Sequence, residues 1–309
     1  MMENFQPIRV VRAPRPKRFN FLTGYAAGFF GGAALLAAGL LLLNFLFPPA
    51  RLNVLLLGAD SRPTDNGLAR TDTIILATVN PADSYVGLLS VPRDLWVRLP
   101  DGNENRINTA HFFAEANVRG AGPLAAVQTV SSNFGLTLQR YALINFGGFV
   151  RLVDSVGGVT VDVEAPIVDY EYPTADYGTE EVRFDAGVQH MNGEQALQYA
   201  RIRHGSSDFA RAQRQQALIA AFASRLLEPG AWPRLPLLLA AIGSSVETNL
   251  TPVEIVRALP TLLRVGPPGI ERRVIDGNMV QAYTTSTGAS VQLPVWSQID
   301  PVLFEMFGE

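Results

Sequence analysis

The hydropathy pattern divides the chain at once. A predominantly apolar run from Phe19 to Phe47, FNFLTGYAAGFFGGAALLAAGLLLLNFLF, carries no charged residue. As a helix rising ~1.5 Å per residue it would exceed the ~30 Å hydrocarbon core of a bilayer. The run is too long for the apolar stretch of a secretory signal peptide, and it ends in Phe47-Pro48-Pro49 rather than a small-residue cleavage site. It therefore predicts one transmembrane helix over 19–47. Arg9, Arg12, Arg15, Lys17 and Arg18 stand just before it. Cations on one flank remain in the cytoplasm, so residues 1–18 are expected as a cytoplasmic basic tail. Everything after the span is then expected on the outer face of the cytoplasmic membrane.

Beyond the span the pattern changes to short apolar strands and amphipathic helices. Asn53–Gly58 is an apolar run ending at glycine, which reads as a buried central strand. Thr73–Val79 and Tyr85–Val91 are β-prone runs joined by Asn80-Pro81-Ala82-Asp83, a hairpin signal. Pro92 lacks a backbone donor and places Pro92-Arg93-Asp94 at a strand end. Helical patterns follow from Asn108 and over 123–133, then a strand at 141–145, a helix at 148–155 and a strand at 158–163. Residues 165–187 read as irregular and acidic. Asn192, followed three positions later by Gln195, marks a helix start. A long helix is expected from about 207 to 227, stopped by Pro229-Gly230, then helices near 233–246 and 252–264 and a strand near 271–275. Strands interleaved with helices predict an α/β fold with a mixed central β-sheet flanked by helices. The expected division is a catalytic-type domain over 51–230 and a helical extension, 231–309, packed on it or continuing it.

Composition narrows the function. Apolar residues are 48% and charged residues 17%, enough to fill a core and against a mainly disordered chain. The absence of cysteine removes disulfides, thiolate metal sites and cysteine nucleophiles. The net charge of −3 conceals a basic tail and an acidic remainder. An acidic body argues against nucleic acid as a partner. All basic residues after position 50 are arginine, through base-composition bias or because guanidinium forks match phosphate oxygens.

Three polar clusters carry candidate chemistry. Asp60 follows the first strand and Arg70-Thr71-Asp72 precedes the second; Arg93-Asp94 follows the third; Arg201-Ile202-Arg203-His204 precedes Asp208, Arg211 and Gln215. Ligands of open α/β sheets lie at strand ends. If 201–203 is extended, Arg201 and Arg203 share a face; on a helix Asp208, Arg211 and Gln215 align. Ordinary surface charge pairs would give the same spacing. Clustered arginines with aspartates nearby suit a magnesium–pyrophosphate site. A Walker loop, a G-x-S-x-G elbow and i, i+4 histidines are all missing from the sequence.

The segments NVLLLGADSR, RTDTIILATVNP, LLSVPRDLWVRLP and RINTAH, followed by INFGGFVRLVDSVGGVTVDV, HMNGEQALQYARIRH and DFARAQRQQALI, resemble the LytR-CpsA-Psr family in order and spacing from Asn53 to Ala220. The resemblance implies an α-β-α fold and a membrane-anchored enzyme that moves a glycopolymer phosphate from an undecaprenyl-type pyrophosphate to a peptidoglycan hydroxyl. It implies that Asp60 and Asp72 serve magnesium, or manganese, with Arg70 alongside. By the same resemblance Arg93, Arg201, Arg203, Asp208 and Arg211 are catalytic, and Arg106 and Gln215 bind substrate. Ala210 departs from the family's usual glycine. A polyprenyl chain would need an apolar groove, for which the helix near 122–133 and Phe149, Leu152 and Val153 are candidates, or else core. The alternatives are a non-catalytic lipid-binding or regulatory protein of the cell envelope, or a polyprenyl-pyrophosphate hydrolase. The short cytoplasmic tail is too small for a DNA-binding fold.

Overall fold

The computed structural model describes residues 46–60, 68–174, 178–202 and 208–308, together with Gly31, Gly32, Gly39 and Leu42. The expected tail and most of the expected span lie outside these residues. Among the described residues no helix is long and apolar enough to cross a membrane. Residues 48–309 form one compact unit.

Its centre is a six-stranded mixed sheet. In spatial order it runs β11 (Val246–Thr248), β6 (Arg140–Asn145), β1 (Leu52–Ala59), β2 (Thr71–Asn80), β3 (Tyr85–Ser90) and β12 (Glu271–Val274). β2 is antiparallel to β1 and to β3, whereas β6 runs parallel to β1 and β12 parallel to β3. The C-terminal ends of β1, β3, β6 and β12 therefore meet the beginning of β2 at a single end of the sheet. That end collects the polar residues that the sequence leaves just outside its strands.

Alternation decides which side chains face which layer. Leu55, Leu57, Leu76 and Leu89 point into the larger core. There they meet helices α1 (Thr109–Asn117) and α2 (Gly122–Phe134) and the C-terminal α8 (Trp296–Phe307), with Ile299, Leu303, Met306 and Phe307 almost fully buried. A second core joins α3 (Phe146–Ser155), β7 (Val159–Val163), β10 (Gly187–Met191), α4 (Gly193–Arg201) and α5 (Asp208–Leu227). Asn192 caps α4 with a full capping box, its side chain accepting from the Gln195 amide while the Gln195 side chain accepts from the Asn192 amide.

Residues 165–174 and 178–187 are not irregular. They form a hairpin, β8 (Ile167–Pro173) against β9 (Thr179–Phe184), that buries Tyr172, Val182 and Phe184. Its outward acidic residues mask the alternation in the sequence. The stretch after 230 continues the same unit. It supplies both edge strands of the sheet, helices α6 (Leu235–Ser245) and α7 (Pro252–Val265), and a hairpin of β13 (Val280–Thr284) and β14 (Ser290–Pro294). The remaining pair, β4 (Trp96–Arg98) and β5 (Glu104–Arg106), leads into α1.

Candidate functional site

The first polar residues at the sheet end come from β1 and β2. The Asp60 amide donates to the Arg70 carbonyl at 3.2 Å, which closes the base of the segment between the two strands. Close approach requires glycine at 58, because a Cβ there would stand 2.9 Å from the Thr73 Cβ. Asp72 projects from the beginning of β2. Its Oδ2 accepts from Arg93 Nη1 at 2.7 Å and its Oδ1 from Asn108 Nδ2 at 3.2 Å.

Arg93 follows β3 and is the hub of a charge chain. Its Nε lies 3.5 Å from Asp94 Oδ2, and Asp94 Oδ1 lies 3.3 Å from Arg106 Nε. Burial works against the Arg93 charge, but Asp72, Asp94 and Asp208 outweigh it and hold its pKa above the ordinary guanidinium value. The Arg93 carbonyl accepts from the Asn108 amide at 3.2 Å, and Arg106 Nη2 donates to the Ser290 carbonyl at 2.8 Å. Loop, helix start and hairpin are thus bound to the same few residues.

An open cavity of about 450 Å³ lies on the α1 side, lined by Asp60, Arg70, Asp72, Arg93, Asp94 and Arg106 among others. On the α5 side Asp72 and Arg93 also line a smaller recess with Asp208, Phe209, Arg211 and Gln215. Arg211, buried in the first turns of α5, pairs with Asp208 at 2.8 Å. Two neighbours outside the recess fix the helix. Arg214 Nε donates to the Tyr199 carbonyl at 3.1 Å and its Nη2 to the Ile202 carbonyl at 2.5 Å. Gln216 Nε2 donates to Ser90 Oγ at 2.8 Å and to the Arg273 carbonyl at 2.7 Å. The helix is bolted to the end of α4 on one side and to β3 and β12 on the other.

Eight of the ten residues singled out by sequence therefore line one of two cavities that share Asp72 and Arg93. Arg201 lines neither. It is the last residue of α4, so the expectation of an extended 201–203 with both arginines on one face fails at its first residue. Arg201 instead lies over the Phe146 ring, 4.2 Å from its centroid, and its Nη1 donates to the Tyr172 hydroxyl at 3.0 Å. Arg203 and His204 lie outside the described residues. Asp94, marked by the sequence in the Arg93-Asp94 cluster but given no role, also belongs to the larger cavity, as do the unselected Asn108 and Phe112; Asn108 was readable only as part of Arg-Ile-Asn with Arg106.

The expected groove walls are core. Ala126, Val127 and Val130 of α2 pack in the larger core, and Phe149 and Val153 pack in the second. Exposed aliphatics stand instead on α6 and α7. Leu237, Leu239, Val253, Leu259 and Leu263 are all exposed, while α6 buries only Leu238 and α7 only Ala258 and Thr261. On the sheet face opposite the larger core, Leu56, Ala77, Ala142 and Ile144 remain half-buried, beside the buried Val54, Ile75 and Leu88. This strip of small and aliphatic residues runs towards the charged end of the sheet.

The donor set suits a hard divalent cation. Magnesium takes one or two protein carboxylates and completes its shell with water and phosphate oxygens. Asp60 and Asp72 bring two carboxylates to one cavity, and beside Asp72 the buried Asn108 Oδ1 has no hydrogen-bond donor. Among the described residues no group of three or more His, Asp or Glu side chains could hold a metal alone.

The profile of the LytR_cpsA_psr family matches residues 49–302. A polyisoprenyl-teichoic acid–peptidoglycan teichoic acid transferase, TagU, of Oceanobacillus iheyensis is 35% identical over 200 residues, covering 64% of this chain and 58% of the relative. The enzyme of that name called TagV in Bacillus subtilis is 28% identical over 203 residues, covering 64% and 49%. The chain thus spans about half to three fifths of the length of these relatives. The crystal structure of B. subtilis TagV superposes with a TM-score of 0.67 at 24% identity, over 84% of this chain and 98% of the other.

Proposed function

The chain belongs to the LytR_cpsA_psr family, and we propose that it is a membrane-anchored phosphotransferase of cell-wall assembly. Its donor is a glycopolymer on an undecaprenyl-type pyrophosphate, and its acceptor is a peptidoglycan hydroxyl. The names of its relatives support a teichoic-acid type of polymer. The observation that carries the reading is Arg93, held between Asp72 and Asp94 where the two cavities meet. A pyrophosphate placed there would meet cations on both sides.

In the reaction the acceptor oxygen forms a bond to the polymer-bearing phosphorus, and the bond from that phosphorus to the bridging oxygen breaks. The bridging oxygen leaves with the lipid phosphate, and the acceptor's proton passes to a carboxylate of the cavity. Such transfers depend on positioning and neutralisation of phosphate oxygens. Arg93 and Arg211 supply fixed positive charge, and Arg70 and Arg106 flank the polymer side. Magnesium, or manganese, held on Asp60 and Asp72 would add further neutralisation of the pyrophosphate. The polyprenyl chain lies along the half-buried strip of the sheet. The apolar run at 19–47 anchors the chain in the cytoplasmic membrane, with the catalytic unit on its outer face.

The test is transfer by the full-length chain in lipid vesicles, with a polyprenyl-pyrophosphate saccharide and peptidoglycan fragments. Release of polyprenyl phosphate should depend on the fragments and yield a phosphodiester. Arg93→Ala should lower the rate by about 100-fold or more, the scale of removing a transition-state donor, with an unchanged circular dichroism spectrum. Equal release without fragments would replace this reading with hydrolysis. Binding without any release would leave a lipid-binding protein.

A further inference from the structure

Two kinds of arginine surround the sheet end. Arg93 and Arg106 are linked through Asp94, and Arg93 also pairs with Asp72, so their charge is shared with carboxylates. Arg211 pairs with Asp208. Arg201 has no carboxylate within ion-pair distance among the described residues, although it is half-buried. It rests between two rings, with its guanidinium carbon 4.2 Å from the Phe146 centroid and 5.3 Å from that of Tyr172. Its Nη1 donates to the Tyr172 hydroxyl at 3.0 Å. Tyr172 is itself only 5% exposed and belongs to the hairpin of β8 and β9. Burial raises its pKa while Arg201 opposes the rise, as expected for a neutral phenol facing a cation.

A half-buried cation without a counter-ion loses hydration and regains little of it from a charge partner. Aromatic faces restore part of that loss without neutralising the charge. The helix end adds a second part: Arg201 closes α4, where the last carbonyls favour a cation. The backbone on either side of Arg201 is fixed by Arg214, which bonds the carbonyls of residues 199 and 202. Phe146 begins α3 at the end of β6, the same end of the sheet as the charged residues.

We infer that Tyr172 is a positioning residue for Arg201, its hydroxyl and ring acting with the Phe146 ring to hold an uncompensated guanidinium ready for an anionic group of the donor. The inference rests on the proposed transferase reading and adds to it a role for the β8–β9 hairpin. Arg201 meets the donor; Tyr172 and Phe146 act only through Arg201.

The test uses the full-length chain in phosphatidylglycerol–phosphatidylethanolamine vesicles, with the donor and acceptor titrated separately. Tyr172→Phe should raise the donor KM about 3- to 10-fold, the scale of one ordinary hydrogen bond. Its kcat, acceptor KM and melting temperature should change little. Phe146→Leu should act in the same direction. In an Arg201→Ala background neither substitution should have a further effect, as required of groups that act through one residue. Equal losses in both backgrounds, or a matching rise in acceptor KM, would overturn the inference by making the role one of general fold. A donor KM unmoved by Arg201→Ala but raised by Arg93→Ala would overturn it as well, with the transferase reading intact. Failure of the unsubstituted chain to transfer would remove both.

Discussion

The two faces of the central sheet are built from the same strands and are finished in different ways. On one face Leu55, Leu76 and Leu89 are inaccessible, covered by α1, α2 and α8. On the other, Val54, Ile75 and Leu88 are buried too, and Val79 and Val86 pack with Ala258 of α7, but Leu56, Ala77, Ala142 and Ile144 stay half-buried and the helices beside them turn large aliphatics outward. Alternation makes both faces apolar, so strand sequence alone cannot distinguish them. What differs is the covering helix. α8 presents Ile299, Leu303, Met306 and Phe307 to the sheet, whereas α7 presents Ala258 and Thr261. The first face is sealed along its length, whereas the second is sealed only in part.

The largest way to break this contrast is to open the sealed face. Phe307 is 1% exposed, and Phe307→Ala should cost about 3–5 kcal/mol, transfer loss plus cavity. Denaturant unfolding of the full chain would read it as a lowered midpoint. A loss under about 1 kcal/mol would mean that α8 does not seal the core.

A middle-sized effect concerns how α7 keeps its place with so little buried. Thr251 and Glu254 form a capping box, and Arg140 Nε donates to Glu254 Oε1 at 2.7 Å, tying the helix to β6. The backbone hydrogen bond from Thr251, then the bond from Arg140, lower the Glu254 pKa below its ordinary 4.5. Its contribution is therefore complete above that ordinary value and is lost as pH falls through the lowered one. Thr251→Ala should cost about 1 kcal/mol and should reduce the acid-dependent part of the loss. Unchanged stability together with an unchanged acid limb would show that packing, not the cap, holds α7.

Much of this architecture was legible in the chain. The runs at 53–58, 73–79 and 85–91 became β1, β2 and β3 because alternation, a terminal glycine and a turn sequence all agree there. Asp60, Asp72 and Arg93 could be picked out because each stands at or just outside the end of a strand, and Arg106 only through the family resemblance of Arg-Ile-Asn. Their meeting required only that the strand ends coincide. The β8–β9 hairpin was hidden by its acidic outer face, and α8 by Pro301, which reads as a helix breaker. The seat of Arg201 was not legible at all, since Phe146 and Tyr172 belong to other elements and carry no chemistry of their own. For the same reason the groove was placed on helices whose apolar faces turned out to be core. A sequence shows that a face is apolar but not whether it is covered.

The smallest expected effect on stability is the sharpest test of the open face. Leu259 and Leu263 are 43% and 58% exposed, so replacing both with serine removes little buried area. The double variant should stay within about 1 kcal/mol of the unsubstituted chain, about 0.5 for each surface substitution. If the face receives the polyprenyl chain, the same variant should raise the KM of a long-chain donor while leaving that of a short-prenyl donor unchanged. Comparing donors of two lengths separates a groove from a general disturbance, because a shifted pyrophosphate site would weaken both alike. Equal KM values for the long donor before and after substitution would assign these leucines to another surface role, and the half-buried strip of the sheet would then have to hold the lipid without them.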